Sequence, residues 1–315
     1  MPSPLLGSEV QPYSSVALDA ALGARLALTT VRRGGSSTVV RHPLHRTGSR
    51  ATVFLHGAAG SWTTWTPMLR VVADAGSPFT EPVLFDLPGW GEAVLARDSP
   101  ATVETICDLV TAALDELGFT EWDLVGHSMG GFIALHLAAT RPDAVRSVAL
   151  VSPTAYSVIE SVSGTVGGPA RIPAFTGLLR AMRVMAPIAA PVRALVRFLG
   201  RTGALRVFAA PLLRHPCAVD RTAIVALGRE LRPRAFVAAT EVARDYPADA
   251  TWSRITCPVT ATKGDRDAFV SDYDFERLAA VIPHLRATVI PDCAHFGNIE
   301  RPAETLAALR SSVPE

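Results

Sequence analysis

Residues Gly126-His127-Ser128-Met129-Gly130 fit the pattern G-x-S-x-G. A serine in that spacing suits nucleophilic attack on a carbonyl. The glycines let the chain turn sharply from a strand into a helix, which lifts the hydroxyl into the open at the strand's C-terminal end. The same turn aims the Met129 N–H and the helix N-terminus at the oxygen that gains charge during attack. Gly131 suits close packing of that helix on the sheet. A serine hydroxyl is a weak nucleophile until a base takes its proton, and eight histidines compete for that role. His127 adjoins the serine, but neighbouring side chains diverge in a tight turn. His56 belongs to a loop, and His136 reads as a packing residue inside a helix. His42, His45, His215 and His284 stand in loops or at strand ends without motif context. His295 differs: Pro291-Asp292-Cys293-Ala294-His295-Phe296 follows the last strand and precedes the last helix, at the carboxyl edge of the sheet where open α/β folds gather their ligands. The imidazole then needs a carboxylate to fix its tautomer. Asp267 in Gly264-Asp265-Arg266-Asp267 is the candidate, with Asp265 as runner-up. The alternative strand end carries Ser152-Pro153-Thr154 and no acid.

These residues need a scaffold. Short apolar runs at Ala24–Val31, Ser37–His42, Ala51–Leu55, Pro82–Phe85, Asp123–Val125, Val145–Val151, Val259–Lys263 and Ala287–Ile290 read as strands. Helices are expected at Trp62–Asp74, at Thr102–Leu117 with Gly118 as its C-cap, from the Ser128 turn to Ala139, at Asp272–Val281 and at Ala303–Ser311. The alternation predicts an α/β class with a mostly parallel central sheet and helices on both faces. From Tyr156 to Trp252 the rhythm breaks. Apolar helical pieces at Leu178–Ala186, Val192–Leu199, Ala204–Leu213 and Ala223–Leu231 are separated by prolines. The expected organisation is a tail at 1–23, a core of 24–155 and 253–315, and an inserted helical cap or lid at 156–252.

Hydrophobic residues make up 49% of the 315 and charged ones 19%, so the chain can bury a large core and keep apolar surface for a greasy substrate. A net charge of +1 speaks against nucleic acid as a partner. Nearly all basic residues are arginine, with Lys263 the single lysine. The lid arginines Arg180, Arg183, Arg193, Arg197, Arg201 and Arg206 read as a solvated helix face; an anionic substrate group or a membrane surface is the other reading. No apolar run approaches the length of a spanning helix, and Met1–Val31 has no leader-like pattern. Cys107, Cys217, Cys257 and Cys293 form no CxxC pair, so buried reduced thiols in a cytoplasmic protein are expected.

Five blocks in order carry a family resemblance: His56-Gly57, Asp86-Leu87-Pro88-Gly89-Trp90-Gly91, the Ser128 turn, Gly264-x-x-Asp267 and the His295 segment. Over residues 24 to 313 the chain resembles the α/β-hydrolase superfamily, in the serine-nucleophile branch with a helical cap between the sixth and seventh strands. Ser128, Asp267, His295 is that family's order, and the spacings of 139 and 28 residues leave room for the cap and then one helix and strand. The resemblance implies that Ala58, after His-Gly, donates the second oxyanion N–H beside Met129. Ala294 stands where the family often has glycine, and Ser271 where it often has proline. A serine rather than an aspartate nucleophile argues against epoxide hydrolases and haloalkane dehalogenases.

The expected reaction is hydrolysis of an ester, thioester or lactone of a hydrophobic small molecule through an acyl-enzyme on Ser128, without metal or organic cofactor. Phe175, Leu178, Leu179, Met182, Met185, Leu195 and Phe198 make the lid apolar; they either meet that substrate or pack the lid. The rival readings are a lyase, cyclase or acyl-transfer use of the same residues, and a ligand-binding module with little turnover.

Overall fold

The apolar runs become eight strands of one sheet in the computed structural model, which describes residues 13, 16–96 and 102–310. They are β1 (Ala27–Arg33), β2 (Ser36–His42), β3 (Arg50–Leu55), β4 (Pro82–Asp86), β5 (Glu121–His127), β6 (Val145–Val151), β7 (Val259–Gly264) and β8 (Leu285–Ile290). Their spatial order is β1-β2-β4-β3-β5-β6-β7-β8. β1, β2 and β4 pair antiparallel, and every pairing from β4 through β8 is parallel.

Three helices belong to the first half: α1 (Thr66–Asp74), α2 (Val103–Glu116) and α3 (Met129–Thr140). Eight more lie between β6 and β7: α4 (Tyr156–Ser163), α5 (Gly168–Arg171), α6 (Pro173–Met185), α7 (Ala189–Thr202), α8 (Leu205–Phe208), α9 (Arg221–Glu230), α10 (Pro233–Glu241) and α11 (Ala248–Trp252). α12 (Asp272–Val281), α13 (Gly297–Glu300) and α14 (Pro302–Arg310) complete the chain's described part.

The central strands are buried on both faces, as parallel strands covered by helices must be. Val53 and Leu55 of β3 share a core with α2 and α3, while Phe54 between them joins Trp65, Met68 and Leu306 on the opposite face. α3 is buried all round, eleven of its twelve residues being inaccessible. The insertion has its own apolar cluster, in which Val196, Leu205, Ile224 and Leu227 reach Phe296 beside His295.

Several boundaries differ from expectation. The first strand starts at Ala27, because Asp19 accepts the N–H groups of Ala21 and Leu22 and winds Ala20–Arg25 into a 3-10 turn. Trp62–Trp65 is a 3-10 turn leading into α1. β5 is longer than Asp123–Val125, since neighbours on both sides pair with its polar ends. Only Leu205–Phe208 of the expected helix Ala204–Leu213 forms, Pro211 being unable to continue it. The short helices α4, α10 and α11 carried too few turns to read as periodic. Of the expected tail, residues 1–12, 14 and 15 lie outside the described residues, as does the helix end at Ser311. Cys107, Cys257 and Cys293 are buried free thiols, but Cys217 is exposed, which corrects the expectation of four buried ones. Among the described residues no helix is long and apolar enough to cross a membrane.

Candidate active site

β5 ends at His127 and α3 begins at Met129, leaving Ser128 alone to make the turn at φ 51°, ψ −116°. A non-glycine residue there is strained and persists only where its surroundings hold it. Here Ser128 N–H donates to Val151 O at 3.0 Å, and Ser128 O accepts from Gly131 N at 2.9 Å and Thr154 N at 2.9 Å. The flanking glycines are a steric requirement. A Cβ on Gly130 would lie 1.9 Å from Leu55 O, and one on Gly126 2.5 Å from Gly130 O.

His295 Nδ1 lies 3.1 and 3.2 Å from the two carboxylate oxygens of Asp267, and both side chains are buried. Asp267 Oδ1 also accepts the N–H groups of Phe269 at 2.8 Å and Val270 at 3.1 Å. Burial pushes this carboxyl up, but the His295 charge and these hydrogen bonds together hold it below its ordinary value. The runner-up, Asp265, instead accepts Cys293 N–H at 3.1 Å and braces the loop.

Ser128 and His295 line one cavity with Ala58, Met129, Phe175 and Phe269. No hydrogen bond joins Ser128 Oγ to His295 among the described residues. Ala58 N–H and Met129 N–H find no acceptor among the described residues, so two backbone donors beside the serine are free to receive an anionic oxygen. Of the apolar residues expected in the lid, Phe175 and Leu178 reach the cavity. Leu179 and Met182 pack in the core, whereas Leu195 and Phe198 are exposed. The cavity holds about 60 Å³, well short of the several hundred that usually house a ligand.

A model of the alpha/beta hydrolase family matches residues 52–309. The chain belongs to this family. The hydrolase is 45% identical over 76 residues to a pimeloyl-[acyl-carrier protein] methyl ester esterase of Neisseria meningitidis, 24% of this chain and 27% of the relative. It is 37% identical over 117 residues to the dihydrolipoyllysine-residue acetyltransferase component of the acetoin cleaving system of Cupriavidus necator, 37% of this chain and 30% of the relative. The matched stretches thus span less than a third of either relative's length. The enol-lactonase structure from Burkholderia xenovorans LB400 superposes with a TM-score of 0.68 at 19% identity, covering 91% of this chain and 100% of that one; that likeness is one of fold.

Three further buried side chains brace the loops around this cavity. His56 Nε2 accepts Leu87 N–H at 3.0 Å, so Nδ1 carries the proton and donates to Gly57 O at 2.7 Å. The C=O and N–H of a trans peptide point opposite ways, so tethering Gly57 O aims Ala58 N–H away from the ring. His127 Nε2 donates to the backbone carbonyl of His295 at 3.0 Å. Glu300, buried in α13, accepts the N–H groups of Ala294 at 3.1 Å and Arg214 at 2.6 Å. His56 showed itself only as part of the His56-Gly57 block, and nothing near His127 or Glu300 in the chain marks their bonds, since their partners lie up to 168 residues away.

Burial also sets a pH dependence. It lowers His127 from its ordinary 6.5 to about 3, and the neighbouring His295 charge adds to the effect. Below pH 6.5 the unfolded chain takes up a proton that the folded chain refuses until about pH 3. Stability is therefore full above pH 6.5 and declines by about 1.4 kcal/mol per pH unit below it for this one group. His56 is lowered in the same direction by burial. Urea midpoints measured from neutral to acid pH should fall, and His127→Gln should flatten the slope by about one proton. An equal slope in both proteins would contradict the assignment.

Proposed function

We propose that this α/β hydrolase cleaves an ester-like bond of a hydrophobic small molecule, with Ser128 as nucleophile, His295 as base and Asp267 as its orienting acid. The observation that carries this reading is a strained serine and an Asp-braced imidazole on the wall of one apolar cavity. His295 takes the Ser128 proton as Oγ adds to the carbonyl carbon. The N–H groups of Ala58 and Met129 hold the oxyanion, each such donor contributing about 3 kcal/mol. The tetrahedral intermediate collapses, His295 gives its proton to the leaving oxygen, and an acyl ester remains on Ser128. Water, deprotonated by the same imidazole, attacks that ester and restores the serine.

The insertion of 156–252 serves as the cap. Arg232 donates to Gly89 O and Gly91 O at 2.9 Å each and pairs with Glu230, latching the cap to the loop after β4. A pocket lined by Phe175, Leu178 and Phe236 favours an acyl chain over acetate.

The test is turnover of p-nitrophenyl esters from acetate to decanoate, with a fluorophosphonate probe added in parallel. The expected result is faster hydrolysis of longer acyl chains and one probe adduct on the peptide bearing Ser128. Turnover that survives without any Ser128 adduct would overturn the reading. Acyl transfer to an acceptor other than water is a second reading, favoured by the relative named for an acetyltransferase component. Incorporation of ¹⁸O from labelled water into the acid product separates the two.

A further inference from the structure

Residues 161–219 contain eight arginines and no aspartate, glutamate or lysine. The same stretch holds seven of the ten most exposed large apolar side chains among the described residues, including Leu195, Phe198, Val207 and Phe208. Single exposed apolar residues are ordinary, but a cluster on one segment marks a contact surface. α7 shows how the two features combine. Ala189, Val196 and Gly200 are its buried side. Arg193, Arg197 and Arg201 recur every four residues and form one exposed stripe, while Leu195 and Phe198, three apart, lie on the other flank. Arg171, Arg183 and Arg214 of the segment are paired with Glu160, Glu241 and Asp292; the three guanidinium groups of α7 close no ion pair among the described residues, although Arg197 acts on the Glu230 carboxylate through its charge. The chain then turns at Gly203, with φ 82°, into α8, where Val207 and Phe208 are 77% and 68% exposed.

We propose that this outer face of the cap docks on an anionic phospholipid bilayer. Charge complementarity decides the occupant. Exposed arginines that close no ion pair match lipid phosphates, and the adjoining aromatic and aliphatic side chains reach the depth where the acyl chains begin. α6, which precedes α7 in the chain, carries both Phe175 and Leu178 of the cavity wall.

The experiment is flotation of the full chain with phosphatidylcholine vesicles and with phosphatidylserine/phosphatidylcholine vesicles at low salt, alongside sedimentation velocity without lipid. The protein is expected to float with the anionic vesicles alone and to be released by added salt. Arg193→Gln/Arg197→Gln/Arg201→Gln should lower the partition coefficient about 100-fold. Phe198→Ser/Phe208→Ser should lower it at least about tenfold. Both variants should keep wild-type circular dichroism and wild-type turnover of a soluble ester, since none of these side chains lines the cavity. No preference for anionic vesicles, or binding that survives both sets of substitutions, overturns the proposal. So does a dimer that Phe198→Ser/Phe208→Ser dissociates, because a second copy would then be what covers the face.

Discussion

Ser128→Ala is expected to lower kcat by about a million-fold with KM for a p-nitrophenyl ester little changed, the scale that loss of such a nucleophile reaches. What remains above the uncatalysed rate, about 10³–10⁴-fold, reflects the Ala58 and Met129 donors and simple binding. The substitution should leave the fold intact. Serine and alanine share a Cβ and are equally strained at φ 51°, so the conformational penalty is the same in both. Glycine removes it, and Ser128→Gly should be more stable than Ser128→Ala by about 1–2 kcal/mol. Kinetics and urea midpoints of the three proteins check both statements. A kcat within tenfold of wild type in Ser128→Ala would remove serine from the mechanism.

Asp267→Asn is expected to lower kcat by about 10⁴-fold. Asparagine fills the same space but presents an NH₂ group and no charge, so His295 loses both the partner that fixes its tautomer and the counter-charge for its protonated form. Phe269 and Val270 still find an amide oxygen, so the loop should hold its shape. Asp265→Asn is the control, because Asp265 touches a backbone N–H and not the imidazole; it should change kcat no more than a few-fold. Steady-state kinetics on both variants decide between the two aspartates. A larger loss at Asp265 would exchange their roles.

The parts that were legible in the sequence are those whose cause is local. The Ser128 turn shows itself through glycines that its own geometry demands. The sheet shows itself through apolar runs with both faces buried, and the order of serine, aspartate and histidine is visible in the chain. The structure places Ser128 and His295 on one cavity wall, with Asp267 buried behind the His295 ring at 3.1 Å from Nδ1. What escaped depends on distant partners. His127 was dismissed because its side chain leaves the serine, yet that divergence is what sends its ring to the His295 carbonyl. The ends of β5 stayed hidden because a glutamate and an aspartate flank Trp122, and only pairing on both sides makes them strand. The insertion between β6 and β7 was visible as an interruption, but its helices were not delimited, since stops such as Pro211 and Gly203 act over single turns.

The insertion also dictates when the site can come into being during synthesis. Ser128 precedes the helical insertion, while β7, Asp267, β8 and His295 all follow it. A ribosome adding about 5–20 residues per second spends roughly 7–28 s between the serine and the aspartate. Throughout that interval the nascent sheet ends at β6, whose free edge waits for β7 and is open to pairing with another chain. Ser128 is therefore made well before its partners, and the edge of β6 stays unpaired until the last fifth of the chain arrives.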